Sequence, residues 1–129
     1  LGLLEMSVRS ERVASEIQKV LSEPISEFAR QNNAGLATIT NVRMSPDLQY
    51  AYIYISVYGG KISPQTFINL VEQEKSTFRQ IVGSKVRLRL TPELRFFVDD
   101  TFERIERIEQ ILSSEKNARE AKDKSGEAH

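Results

Sequence analysis

Val86-Arg87-Leu88-Arg89-Leu90-Thr91-Pro92-Glu93-Leu94-Arg95-Phe96-Phe97-Val98-Asp99-Asp100 is the stretch on which the fold turns. Its even positions Val86, Leu88, Leu90, Leu94, Phe96 and Val98 are apolar, while Arg87, Arg89, Thr91, Glu93, Arg95 and Asp99 are charged or polar. A period of two predicts a strand buried on one face and wet on the other. Pro92 has no amide hydrogen to donate, so the strand should lie at a sheet edge or be irregular near Thr91-Pro92. The wet side carries three arginines within nine residues, Arg87 to Arg95. They can be read as a charged edge that blocks aggregation, or as a face that binds anions.

Upstream, Val13, Ile17, Val20, Leu21, Ile25 and Phe28 follow helical spacing and predict one apolar stripe. Ser7 or Ser10 could cap its start. Pro24 should kink this helix or divide it. Gln31-Asn32-Asn33-Ala34-Gly35 supplies turn chemistry at its end. Leu36 to Met44 and Leu48 to Tyr58 then read as an antiparallel hairpin joined through Ser45-Pro46-Asp47. In the second strand Ala51, Ile53, Ile55 and Val57 alternate with Tyr50, Tyr52, Tyr54, Ser56 and Tyr58. All four tyrosines of the chain thus fall on one face. Cross-strand packing explains such a face; so would a stacking platform for bases or a docking surface for a partner.

Gly59-Gly60 breaks the strand. Ser63-Pro64 predicts a helix start, with serine as cap and proline in the first turn. The stripe Phe67, Ile68, Val71, Phe78, Ile81, Val82 runs on to a stop at Gly83, and the polar gap between Val71 and Phe78 predicts a break into two short helices. Asp99-Asp100-Thr101 starts a last helix, with Phe102, Ile105, Ile108, Ile111 and Leu112 as its apolar face. Residues 113–129 have no periodic apolar face and predict a disordered tail beyond a domain of residues 7–112. The class is α+β, a small sheet with helices on one face.

Composition limits the chemistry. The chain of 129 residues has 18 basic and 18 acidic side chains, which argues against a broadly basic wrapper of nucleic acid. Charge is nevertheless uneven. Six basic residues face one acid between Lys75 and Arg95, and nine acids face six bases from Asp99 onward. No cysteine is present, which removes thiolate metal sites and suits a reducing cytoplasm. No apolar run approaches a membrane span. The single histidine is His129, the last residue, so nucleophile–histidine constellations cannot be built. Asp99-Asp100 reads as a helix cap rather than a metal site, and Gly59-Gly60-Lys61 lacks the spacing of a phosphate loop. The expectation is a non-catalytic protein with no cofactor. Its case for binding phosphate rests on the basic stretch Lys75 to Arg95, with Arg79, Lys85, Arg87 and Arg89 foremost, followed by Arg9, Arg12, Lys19 and Arg43. The alternative is a protein-docking α+β module that uses Tyr50, Tyr52, Tyr54 and Tyr58.

Several separated motifs agree with one family. Leu88-Arg89, Thr91-Pro92-Glu93-Leu94-Arg95-Phe96 and Asp99-Asp100-Thr101 resemble the C-terminal signature of ribosome-binding factor A. Arg9-x-x-Arg12-Val13-x-x-x-Ile17 resembles its first helix. Ile39-Thr40-x-Val42-x-Met44-Ser45-x-Asp47-Leu48-x-x-Ala51-x-Ile53-Tyr54-Ile55-Ser56 resembles its hairpin, and Phe78-Arg79 the helix before the last strand. The resemblance spans roughly residues 7 to 112. It implies a KH-type domain of the second topology, helix-strand-strand-helix-helix-strand, with a C-terminal helix added. It further implies a monomeric, cytoplasmic assembly factor that binds the free 30S subunit, assists late 16S rRNA maturation and serves adaptation to cold. Small ribosomal subunit and 16S rRNA would be its partners, with room for other assembly factors, a GTPase included. The family kinks a helix pair at Ala-x-Gly, and here Glu74-Lys75-Ser76 occupy those positions, with Ser76 at the kink.

Overall fold

A computed structural model gives the architecture. It describes residues 2–101 and 104–114, in two compact units, Leu1–Asp99 and Asp100–His129. In the first unit the order is α1 (Gly2–Gln31), β1 (Gly35–Met44), β2 (Tyr50–Gly59), α2 (Pro64–Gln73), α3 (Lys75–Lys85) and β3 (Glu93–Val98). This is the helix-strand-strand-helix-helix-strand order of the KH-type second topology. The sheet order is β1-β2-β3, with β1 antiparallel and β3 parallel to β2. β3 is therefore an edge, as Pro92 requires of a strand that begins beside it.

The hairpin follows its sequence pattern. Ala51, Ile53, Ile55 and Val57 are buried beneath the helices, and the register shifts once in β1, between Ile39 and Asn41. Its turn is closed by the Leu48 amide donating to the Ser45 carbonyl at 2.9 Å. Gly35 has a positive φ of 86°, and a Cβ there would lie 2.4 Å from the Tyr58 carbonyl oxygen, so only glycine fits.

The core joins α1 residues Val13, Ile17, Leu21, Ile25 and Ala29 to the inner sheet face and to Phe67, Val71, Phe78 and Val82. Phe28 meets Phe67 and Phe78 with ring centroids 5.8 and 5.6 Å apart, and Phe78 meets Phe96 at 6.0 Å, which ties all three helices to β3. Among the described residues no charged or polar side chain is buried.

Five expectations need correction. α1 starts at Gly2, before both candidate caps, and Pro24 does not divide it into two helices. Leu21, Ile25 and Ala29 keep one buried stripe across the proline, and that burial offsets the hydrogen bond lost there. Gly83 does not end α3, which runs to Lys85. A Cβ on Gly83 would lie 2.9 Å from Thr91 Oγ1, so this glycine admits the approach of the segment before β3. The alternating stretch is a strand only from Glu93 to Val98. Val86 instead caps the end of α3, its amide donating to the Val82 carbonyl at 2.8 Å, and Leu90, expected on the buried side, is 77% exposed. Finally, the helical break falls at Glu74; Ser76 lies in the first turn of α3.

In the second unit, residue 101 and residues 104–114 are helical, with an Arg104–Asp100 ion pair at 3.0 Å. Ile105, Ile108, Ile111 and Leu112 of its expected apolar face are exposed. Phe102 and the expected tail beyond residue 114 lie outside the described residues.

Candidate nucleic-acid interface

The wholly polar run after Val71 explains why α2 and α3 separate, because it offers nothing to bury across the junction. Ser63 caps α2 through the Thr66 amide at 3.1 Å, whereas Glu74 gives α3 no side-chain cap. Lys75, Ser76 and Arg79 from the start of α3 line an open cleft with Glu93 and Leu94 of β3. The helix break therefore presents two cations and a hydroxyl beside the sheet edge.

Arg79 is placed by more than its helix. Its Nε donates to the Pro92 carbonyl at 3.2 Å and its Nη2 to the Thr91 carbonyl at 2.9 Å. The guanidinium thus fixes the end of the segment that carries Arg87 and Arg89, with three of its five N–H groups left over. Arg87 and Arg89 stand on an irregular connection, not on a strand face, and both are exposed. Lys85 closes the last turn of α3 at the head of the same connection, where a cation also favours the negative helix end.

Arg79, Lys85, Arg87 and Arg89 consequently belong to one stretch of structure. Arg9, Arg12 and Lys19 lie on the exposed side of α1. Arg43 is separate again. It pairs in register with Tyr52 on the sheet face turned away from the helices, so it does not join the helical cations. Among the described residues Arg9, Arg12, Lys19, Arg43, Lys75, Lys85, Arg87 and Arg89 make neither side-chain hydrogen bonds nor ion pairs. Surface cations left in this state are suited to phosphate, which displaces only water and counterions from them.

Tyr50, Tyr52 and Tyr54 are half-buried on the outer sheet face and Tyr58 is exposed, as their alternation implies. β3 adds Arg95 and Phe97 to the same face, since Tyr52 pairs with Arg95 and Tyr54 with Phe97. Arg95 is one of the three arginines on the predicted wet face, whereas the sequence reading gives Phe97 no role. The signal for Phe97 was its odd parity, shared with Glu93 on the wet side. Lys75 begins the basic stretch read from the sequence, and the fold places it at the helix break.

The comparisons agree with the fold. A family model described as ribosome-binding factor A matches residues 9–112. Ribosome-binding factor A of Chlorobaculum tepidum is 38% identical over 117 residues, covering 89% of this chain and 97% of that protein. The crystal structure of ribosome-binding factor A from Thermus thermophilus superposes with a TM-score of 0.60 at 18% identity, over 69% of this chain and 94% of that one. A homology model of the Thermus thermophilus factor, fitted into a cryo-electron microscopy map of its 30S complex, gives a TM-score of 0.50 at 17% identity. It covers 66% of this chain and 93% of that one. The two structural likenesses speak to the fold. The family match extends from α1 to the C-terminal helix and so contains every element that carries a candidate cation, and by it this chain belongs to the ribosome-binding factor A family.

Proposed function

We propose that this protein is a non-catalytic, cytoplasmic factor of ribosome biogenesis that binds the free 30S subunit as a monomer and assists late 16S rRNA maturation. The family match over residues 9–112 carries the reading, and the Thermus thermophilus relative seen in a 30S complex supports it. The unpaired cations supply the physics. Lys85, Arg87 and Arg89 bind rRNA phosphates, Arg79 holds their segment in place, and Lys75 and Ser76 add contacts at the helix break. Arg9, Arg12 and Lys19 extend the contact along α1.

Such a protein works by preference. If it binds one arrangement of rRNA more tightly than the others, it shifts the population toward that arrangement without chemistry. Growth in the cold, where wrong rRNA pairings persist longer, is where its loss should show first. Release before translation, and any GTPase that takes part in it, follow the same logic, since a partner need only favour the unbound state.

Co-sedimentation with isolated small subunits, large subunits and whole ribosomes tests this. The expected result is selective retention on the small subunit, reduced in an Arg87→Glu/Arg89→Glu variant. Retention on no particle would end the reading, and retention unchanged in the variant would move the site away from these arginines.

A further inference from the structure

The outer face of the sheet is built differently from the basic segment. Tyr50 and Tyr52 lie with ring centroids 6.4 Å apart and planes within 13°. Phe97 of β3 continues the row, 6.2 Å from Tyr52 and 5.4 Å from Tyr54, the latter pair stacked at 27°. Four rings therefore form one continuous strip across β2 and β3, and Phe97 is 39% exposed. Guanidinium groups accompany it. Arg95 sits over the Tyr50 ring at 5.3 Å, and Arg43 flanks Tyr52 from β1 with no carboxylate partner. Two carboxylates adjoin the face: Glu93, 3.9 Å from Arg95, and Asp99, which accepts from the Thr40 hydroxyl.

We infer that this face is a second binding surface, one that takes an unpaired stretch of RNA. Its bases stack on the Tyr50, Tyr52, Phe97 and Tyr54 rings, and its phosphates reach Arg43 and Arg95. The occupant follows from the side chains. Every outward residue of β2 from Tyr50 to Ser56 is a tyrosine or a serine, and its neighbours at Asn41, Arg43, Arg95 and Phe97 add no aliphatic surface. Rings about 6 Å apart with guanidinium groups at one end of the row match a strand of successive unstacked bases. Double-stranded RNA keeps its bases within the helix and cannot use the rings. Arg43, idle in the cation set along the helices, acquires a role here. The inference rests on the rRNA-binding reading above but assigns a different face and a different class of RNA.

The chain supplies its own probe. It has no tryptophan, and its four tyrosines all lie on this face, so intrinsic fluorescence reports on the face directly. A titration with oligouridylate and oligoadenylate 12-mers, beside a 12-base-pair RNA duplex, should quench tyrosine emission with the single strands only. A labelled oligonucleotide then gives affinities by anisotropy. The Tyr52→Ser/Phe97→Ser variant should bind roughly tenfold or more weakly than the parent, and its melting curve checks that the fold is intact. Arg43→Ala, which removes no ring, should weaken binding by a smaller factor and reduce the salt dependence. Single-strand affinity unchanged in both variants overturns the inference, as does equal quenching by the duplex. Co-sedimentation with small subunits separates the two readings. Subunit binding without any single-strand binding overturns this inference and leaves the assembly function standing. Loss of subunit binding in the ring variant, with no single-strand binding in the parent, overturns it in favour of a docking face for protein. Single-strand binding without subunit binding keeps this surface and removes the ribosomal function.

Discussion

Phe96 and Phe97 are neighbours in sequence and opposites in role. Phe96 is 4% exposed and packs edge-on against Phe78 in the core, while Phe97 stands on the outer face between Tyr52 and Tyr54. The pleat sends adjacent side chains to opposite sides, so one short strand serves stability with one set of residues and the solvent with the other. On the inner face Ala51, Ile53, Ile55 and Leu94 exclude water, and any change there acts on the whole domain. On the outer face aromatic and cationic groups remain reachable, and a change should act on binding first.

The largest break in this contrast comes from Phe96→Ala, which leaves a hole beside Phe78 and should cost about 3–5 kcal/mol in urea denaturation. Phe97→Ala removes two ring contacts at the surface and should cost only about 1 kcal/mol. Equal losses would show that the two faces are not energetically distinct. Between these falls Glu72→Ala. The Glu72 carboxylate accepts from the Phe96 amide at 2.8 Å, so α2 occupies a donor that β3 would otherwise leave unpaired. Its removal should cost about 1–3 kcal/mol, with faster hydrogen exchange at Phe96 as the local signature.

Much of this division could be read from the sequence. The β2 alternation identified both faces, and Ser63-Pro64 and the polar gap after Val71 located α2 and the break before α3, because these signals act over a few residues. What failed depended on distant partners. The alternation from Val86 to Leu90 has strand periodicity but no strand to pair with, since α3 continues to Lys85 and Arg79 ties down Thr91 and Pro92 from another element. Gly83 was read as a stop for the same reason, its close neighbour Thr91 being invisible locally. Arg43 and Arg79 were grouped by charge alone, and only the fold shows one on the outer sheet face and the other bracing a loop.

The smallest expected effect lies in the hairpin that holds β2 in register. The Ser45 hydroxyl, donating at 2.7 Å, and the Gln49 amide at 3.1 Å hold the Asp47 carboxyl below the ordinary aspartate value. A lowered pKa means that the ionised form supports the fold. That support is complete above the ordinary aspartate value and is lost as pH falls through the lower folded one. Acid titration by NMR should therefore move the Gln49 and Tyr50 amides below the usual carboxylate range, and Asp47→Asn should flatten the response. No change in these amides on acidification would show that Asp47 lends the hairpin no such support.

If unpaired cations on α3 and the segment after it hold rRNA by its phosphates, binding must respond to salt in proportion to their number. The direct test is the affinity for isolated small subunits across a series of salt concentrations at fixed magnesium, for the parent protein and Arg87→Ala/Arg89→Ala. The expected result is a linear fall of log K with log salt in the parent, and a slope shallower by roughly two in the variant, about one for each phosphate contact removed. A salt-independent affinity, or identical slopes for the two proteins, would contradict this mode of binding.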